Sequence, residues 1–315
     1  MTITQLQYVL AVAEYKNFTL AAQKCFVTQP TLSMQIQKVE EELDIKLFDR
    51  TKKPIKLTDI GHKIVNQAKN IVIEANRIQD IVQQEKGFIG GEFRLGIIPT
   101  VMPTLLPMFL KNFINKYPKV KLIIEELNTD ELIFKINNGH LDAAIAATPL
   151  NEEKIKEVVL YFEPFVAYVP ENNVKLNKKE ISIEDLDLND LLLLQDGHCF
   201  RESVLNLCRN NKLNDINHFQ IQSGSFETLI KLADEGLGTT LLPFLHTLNL
   251  NDIEKTKLRN FEEPKPAREV SLIYPKTELK LHIIDALRST ITGVIKGAIV
   301  FQNVQIISPK AFINK

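Results

Sequence analysis

The spacing of apolar residues changes twice along the chain, and each change predicts a different kind of element. In the N-terminal segment they recur every three or four positions, the period of one helix face. Leu6, Val9, Leu10 and Ala13 fall on a first helix, Leu20, Ala21, Ala22 and Phe26 on a second, and Leu32, Ile36, Val39 and Leu43 on a third. Between the last two, Val27-Thr28-Gln29-Pro30 breaks and restarts the chain. Thr28 can cap the third helix, and Pro30 is tolerated in its first turn. The stretch 50–57, interrupted by Pro54, predicts a wing or hairpin.

One long helical pattern follows, from 58 to about 86. Ile60, Ile64, Ile71, Ala75, Ile78 and Val82 recur at spacings of three, four and seven, a coiled-coil seam. Such a stripe on a lone helix calls for a partner, so a dimerisation helix is expected; the alternative is packing against its own chain. Gly87, Gly90 and Gly91 then end the helix and form a hinge.

Beyond the glycines, short apolar runs alternate with helical patterns, as in α/β units. Strands are expected at 93–98, 120–126, 141–146, 158–169, 191–194, 219–222, 239–242 and 269–274. The fourth is expected to cross into a second lobe and the last to return to the first. The predicted fold is therefore α/β. A winged helix-turn-helix occupies 1–58, a dimerising linker helix and hinge 59–90, and a two-lobed regulatory domain, like a periplasmic-type binding fold, 91–315.

Composition narrows the class. At 315 residues two or three domains are expected. No basic region followed by an apolar run opens the chain, and no stretch approaches the ~20 apolar residues of a membrane helix. The expectation is a cytoplasmic protein without a membrane partner. A net charge of −1 neither supports nor excludes nucleic acid. Locally, however, Arg50, Lys52, Lys53, Lys56 and Lys63 stand against Asp59 alone among acids. Alone this would read as a solvated loop. Beside the third helix, whose polar face carries Gln29, Thr31, Ser33, Met34, Gln37 and Lys38, it suits the phosphates and base edges of double-stranded DNA.

Three cysteines are too few for a disulfide scaffold. Cys25 lies on the apolar side of the second helix and reads as core. Cys199 and Cys208 stand nine positions apart, and without a secretory signal they suggest switched thiol chemistry. Cys199 falls near the start of a predicted helix, where amides favour a thiolate, with His198 and Arg201 as possible donors or positive charges. Spacing alone leaves a second reading open, two buried apolar cysteines. If 200–208 is helical, the two lie ~13 Å apart along the axis, whereas a disulfide needs Cα atoms within ~7 Å. Thr100, Thr129, Cys199 and the 223–225 turn all follow predicted strands, where open α/β sheets bind ligands. Neither His198 nor His218 has metal-ligand spacing, and no phosphate loop or Gly-x-Ser-x-Gly elbow is present. No metal or cofactor is expected.

Phe18-Thr19-Leu20-Ala21-Ala22, Val27-Thr28-Gln29-Pro30-Thr31-Leu32-Ser33, Leu43-Asp44-Ile45-Lys46-Leu47-Phe48-Asp49-Arg50 and Leu57-Thr58-Asp59-Ile60-Gly61 closely resemble the LysR-type transcriptional regulators. Ile98-Pro99-Thr100-Val101, the Leu193–Cys199 run with Cys208, His218-Phe219 and Gly238-Thr239-Thr240-Leu241-Leu242-Pro243 resemble the hydrogen-peroxide-sensing members of that family. The resemblance implies that Cys199 reacts with hydrogen peroxide and Cys208 resolves it as a disulfide. It implies a peroxide pocket of Thr100, Thr129, His198 and Arg268, and DNA contacts from Thr28, Gln29, Pro30, Thr31, Ser33, Met34, Gln37, Arg50, Lys52 and Lys53. It further implies a tetramer built as a dimer of dimers, RNA polymerase as a partner, and reduction by a thiol system such as glutaredoxin. Two features depart from the pattern. Asp44 stands where glycine is usual, and the apolar tail 298–307 has no evident counterpart. Two rival readings are a LysR-type regulator answering a small-molecule effector in the interlobe cleft, and a thiol peroxidase. Protection of Cys199 by a metabolite would mark the first, catalytic peroxide consumption the second.

Overall fold

The computed structural model describes residues 1–85, 89–173, 177–208, 223–299 and 303–309. The chain forms two compact units, Met1–Phe88 and Ile89–Lys315.

The first unit holds α1 (Ile3–Tyr15), α2 (Phe18–Lys24), α3 (Gln29–Glu42), the short strands β1 (Phe48–Asp49) and β2 (Lys56–Leu57), and α4 (Asp59–Glu85). Thr2 caps α1 in a reciprocal capping box with Gln5, Asn17 caps α2, and Thr28 caps α3 while Pro30 occupies its first turn. Leu6, Val9, Val12, Ala21, Ala22, Leu32, Ile36 and Val39 are buried, with Leu47, Phe48 and Val65 sealing the core. β1 and β2 pair antiparallel, Phe48 against Leu57, which makes the expected wing. The start of α4 is packed tightly onto the preceding turn: a Cβ on Gly61 would fall 2.2 Å from the Leu47 carbonyl oxygen.

Two expectations need adjusting here. Phe26 belongs to no core; it follows α2 in a left-handed turn (φ 55°) and is 96 % exposed. Its place in the apolar count of α2 misled because the helix had already ended. Asp44 adopts φ 50°, the region that favours glycine, and aspartate is among the residues that tolerate it. Along α4, Val65 and Ala68 are buried, whereas Ile60, Ile71, Ile78 and Val82 are exposed, so most of the seam is open within one chain.

The second unit begins with β3 (Gly91–Ile97), α5 (Met102–Lys116), β4 (Val120–Glu126), α6 (Thr129–Asn137) and β5 (Ala143–Thr148). The strands β4, β3 and β5 are parallel neighbours in that order. β6 (Ile155–Tyr168) is the crossing segment. The second lobe contains β7 (Glu180–Ile181), β8 (Leu191–Leu192), α7 (Cys199–Leu207), α8 (Phe226–Asp234), β9 (Thr239–Pro243), α9 (Phe244–Thr247), α10 (Asp252–Thr256) and β10 (Leu258–Phe261). β11 (Lys265–Pro275) returns to the first lobe, followed by α11 (Leu281–Ile295) and β12 (Val304–Ile306). β11 lies between β5 and β6, antiparallel to both, and the far end of β6 pairs with β9 and β10. Two apolar cores result, one around Phe93, Phe109, Phe113 and Leu287, the other around Phe165, Phe200, Phe226 and Phe261.

β5 starts two residues later than its apolar run, because Leu141 packs in the turn ahead of the ladder. The expected strand 219–222, His218 and Gly87 lie outside the described residues. The tail finds a definite place. β12 pairs parallel with β11, Val304 against Lys265 through Ile306 against Ala267, and the Ile307 amide donates to the Ala267 carbonyl at 2.8 Å.

Candidate functional site

Cys199 and Cys208 are both positioned by α7. Gly197 has φ 87°, a conformation that costs a side chain dearly, and it turns the chain so that His198 is extended at the N-cap and Cys199 opens the helix. Cys199, Phe200, Ser203, Val204 and Leu207 form one buried face. Cys208 caps the C-terminus, its amide bonded to the Val204 carbonyl at 3.1 Å. Both thiols are free and buried. Nine residues of one helix separate them by ~13 Å, twice what a disulfide spans. The helix also bridges the cores: Cys199 packs in the first lobe's core, Cys208 in the second's.

Around Cys199 lies a buried polar chain. Arg268 of β11 is fully buried. Its Nε and one terminal nitrogen donate to one carboxylate oxygen of Glu163 at 2.9 and 2.7 Å. Glu163 is its partner in the β6–β11 ladder, and the other carboxylate oxygen accepts the Leu245 amide at 2.9 Å. The remaining guanidinium donors reach the Thr100 hydroxyl at 2.8 Å and the Thr100 carbonyl at 3.1 Å. The guanidinium also lies over the Phe200 ring, 5.2 Å from its centroid. Burial opposes the charge on Arg268, but Glu163 holds it ionised.

The Cys199 thiol feels opposed forces. Burial pushes it above the ordinary thiol value. Arg268, the Thr129 hydroxyl and the amides of Ala147 and Phe200 all favour the thiolate, but burial prevails. The resting form is therefore a neutral thiol with stabilisers for negative charge already in place. The Thr129 hydroxyl is buried and has no partner other than this sulfur among the described residues. Among the described residues Cys208 has no such neighbours; burial raises it to about 11.

His198 is buried, and burial, against a weaker pull from Glu126, lowers its pKa, so it is neutral. It lies against the 223–225 turn, where a Cβ on Gly224 would sit 3.2 Å from His198 Nε2. Arg201 does not serve the thiol. Its guanidinium donates to the Leu194 carbonyl at 2.9 Å and pairs with Asp196 at 2.9 Å. Its position two residues after the cysteine places it on another side of the helix. Thr100, Thr129, His198, Cys199 and Arg268 thus gather at one end of α7, and Cys208 stays at the other. Sequence reading passed over Glu163, although a carboxylate inside the apolar run 158–169 is a signal that something pairs with it. It also passed over Tyr161, whose hydroxyl is buried without a partner.

On the first unit, Gln29, Pro30, Thr31, Met34, Gln37 and Lys38 are exposed along α3. The Thr31 hydroxyl pairs with Thr28 at 2.8 Å, and Gln37 donates to Glu41 at 2.9 Å. Lys52 and Lys53 extend from the wing into solvent, Lys52 near Asp49 at 3.7 Å. Arg50 is tied inward instead, to Glu40 at 3.1 Å, to the Ser33 hydroxyl at 3.4 Å and over the Phe18 ring at 4.9 Å. Glu40, buried in α3, also accepts the Leu47 amide at 2.8 Å and so fixes the wing to the helix. Cys25 is half-buried beside this core.

Residues 3–62 match the bacterial regulatory helix-turn-helix protein model of the lysR family, and residues 86–294 match the LysR substrate binding domain. The chain belongs to the LysR family of transcriptional regulators. Among LysR-type proteins it is similar to the DNA-binding transcriptional dual regulator OxyR of Escherichia coli K12, 32 % identical over 93 % of this chain and 97 % of that one. It is similar to the hydrogen peroxide-inducible genes activator of Dickeya chrysanthemi, 33 % identical over 87 % and 89 %. A full-length Pseudomonas aeruginosa OxyR carrying a cysteine-to-aspartate change has TM-score 0.75 and 33 % identity, over 93 % of this chain and 98 % of that one. A cysteine-to-serine mutant of Corynebacterium glutamicum OxyR, with hydrogen peroxide bound, has TM-score 0.64 and 27 % identity, over 97 % and 98 %. Among the described residues no helix is long and apolar enough to cross a membrane, and no cluster of three His, Cys, Asp or Glu side chains suits a metal.

Proposed function

We propose that this LysR-type regulator is a hydrogen peroxide sensor controlling oxidative-stress genes, with Cys199 as the reacting thiol and Cys208 as its resolving partner. The observation that carries the reading is the asymmetry of α7. One cysteine sits beside an ionised guanidinium, the Thr129 hydroxyl and two amides, and the other, among the described residues, in the apolar core of the second lobe. Peroxide enters beside Cys199. The sulfur attacks one peroxide oxygen, the S–O bond forms as the O–O bond breaks, and the departing oxygen takes the thiol proton and leaves as water. Cys199 is oxidised to a sulfenic acid. Arg268, Thr129 and the amides stabilise the negative charge that develops. Cys208 then attacks the Cys199 sulfur, an S–S bond forms, and the hydroxyl leaves as water with the Cys208 proton. With the thiols ~13 Å apart in the helix, this step requires α7 to unwind. The helix is thus the bistable element that biases DNA binding. A thiol reductant such as glutaredoxin returns the reduced form.

In this reading 1–58 reads double-stranded DNA, 59–90 dimerises, and 91–315 senses. Gln29, Thr31, Ser33, Met34 and Gln37 approach base edges, Thr28 and Pro30 set the helix start, and Lys52 and Lys53 contact phosphate. Arg50 holds Ser33 and the wing in place. The open seam of α4 supports dimers that pair into tetramers, with RNA polymerase as the partner at promoters and the cytoplasm as the site of action. The test is DNase footprinting of the reduced protein before and after one equivalent of peroxide. The footprint should change, with no change in Cys199→Ser. Lys53→Ala should weaken binding to all sequences and reduce the salt slope by about one. An identical footprint before and after oxidation of Cys199 would overturn the sensing reading.

A further inference from the structure

One hydroxyl buried near the Glu163–Arg268 pair has no part in the chemistry above. Tyr161 is buried and its hydroxyl has no hydrogen-bond partner. Buried hydroxyls are nearly always paired, so an unpaired one beside the Glu163–Arg268 pair calls for a reason. Its position is set by the sheet. Tyr161 and Glu163 are two residues apart on β6 and share a face. Glu163 stands opposite Arg268, and Tyr161 opposite Val270, which places Tyr161 diagonally across from the guanidinium, within reach of a long side chain. Val270 is in turn opposite Ala147, whose amide faces the Cys199 sulfur. Tyr161, Val270 and Ala147 therefore form one row across three strands, ending beneath the reactive thiol.

We propose that Tyr161 is a further catalytic residue of the peroxide site, its hydroxyl donating a hydrogen bond to the peroxide oxygen that leaves. This rests on the reading of Cys199 as the peroxide-reacting thiol. Each oxygen of hydrogen peroxide both donates and accepts. The Thr100 hydroxyl accepts from Arg268 and the Thr129 hydroxyl faces the Cys199 sulfur, whereas the Tyr161 hydroxyl has no partner. Burial and the nearby Glu163 charge both keep the phenol protonated. Tyr161 thus keeps its proton through the step; the leaving oxygen is protonated by the Cys199 thiol, and Tyr161 stabilises the charge on that oxygen while the O–O bond breaks.

Tyr161→Phe removes the hydroxyl and keeps the ring. The test compares this variant with the unchanged full-length protein in three measurements: the second-order rate of Cys199 oxidation by hydrogen peroxide, the rate of Cys199 alkylation by iodoacetamide, and the melting temperature. Loss of one hydrogen bond to the transition state should slow peroxide oxidation about tenfold. Alkylation should keep its rate, because no O–O bond breaks. The melting temperature should hold or rise, since an unpaired buried hydroxyl has been removed. An unchanged peroxide rate overturns the proposal. An equal fall in both rates also overturns it, by showing that Tyr161 acts on thiol ionisation. A fall in peroxide rate that follows a fall in melting temperature reduces Tyr161 to packing. Should the unchanged protein itself fail to react with peroxide at Cys199, the sensing reading falls together with this one.

Discussion

The two ends of α7 carry the same residue type in opposite surroundings. At the N-terminal end, Cys199 meets backbone amides, Thr129 and a guanidinium kept charged by Glu163. At the C-terminal end, Cys208 meets Val204, Leu207 and the second lobe's core. Burial raises both thiols, but among the described residues only Cys199 has groups that stabilise negative charge. Burial by itself makes a cysteine inert; burial with fixed donors makes it selectively reactive. In the proposed sequence of steps, the helix between them keeps the second thiol in reserve until the first has reacted.

The comparison breaks most completely at the sulfur atoms themselves. Cys199→Ser should abolish peroxide oxidation in thiol mass spectrometry. Cys208→Ser should still form the Cys199 sulfenic acid, trappable by dimedone, but no intramolecular disulfide. Were the serine at 208 to abolish the sulfenic acid as well, the two ends would not be functionally distinct.

Arg268→Met comes next. It leaves Glu163 buried without its cation, a loss of about 3–5 kcal/mol in urea unfolding. Glu163→Gln in the same chain should restore much of that stability yet not the oxidation rate, because the positive charge beside Cys199 is still missing. Recovery of the rate in the double variant would show that Arg268 acts only through packing.

How far these groups were legible in the sequence depends on how local their partners are. The three N-terminal helices declared themselves by period, by Thr28 and by Pro30, all within a few residues. Gly197-His198-Cys199 did the same for the start of α7. Arg268 was placed by resemblance alone, because its partners Glu163 and Thr100 lie 105 and 168 residues away. No local spacing reports a cross-strand ion pair, although Glu163 in an apolar run was a usable clue. Phe26 shows the reverse failure, an apolar residue counted on the second helix whose backbone has already left it. The segments 281–295 and 304–306 were not read as elements at all. The second is a strand only because β11 offers it an edge.

That edge allows a finer test of the apolar end. Asn206 of α7 donates to the Ser308 carbonyl at 2.9 Å, just past β12, so the tail pins the helix near Cys208. Asn206→Ala removes a bond of about 1 kcal/mol. Sulfenic acid formation in stopped flow should be unaffected, whereas disulfide closure should quicken several-fold. Equal change in both steps would mean that the ends of α7 are not released separately.

The smallest effect is in pH. The Cys208 thiol is raised from an ordinary 9.0 to about 11. A raised pKa contributes stability that is whole below the unfolded value and is lost as pH rises through the folded one. The reduced protein should therefore lose stability in urea between about pH 9 and 11. Cys208→Ala should lose less over the same interval; an equal loss would place the titration elsewhere.

The most direct measurement of the asymmetry is hydrogen exchange across α7, followed alongside thiol mass spectrometry after one equivalent of peroxide. Cys199 should be modified first, with amides 200–207 still protected in the Cys208→Ser protein. In the unchanged protein those amides should lose protection as the disulfide forms. Formation of the disulfide with the helix still protected, or modification of Cys208 before Cys199, would contradict the division of roles between the two ends.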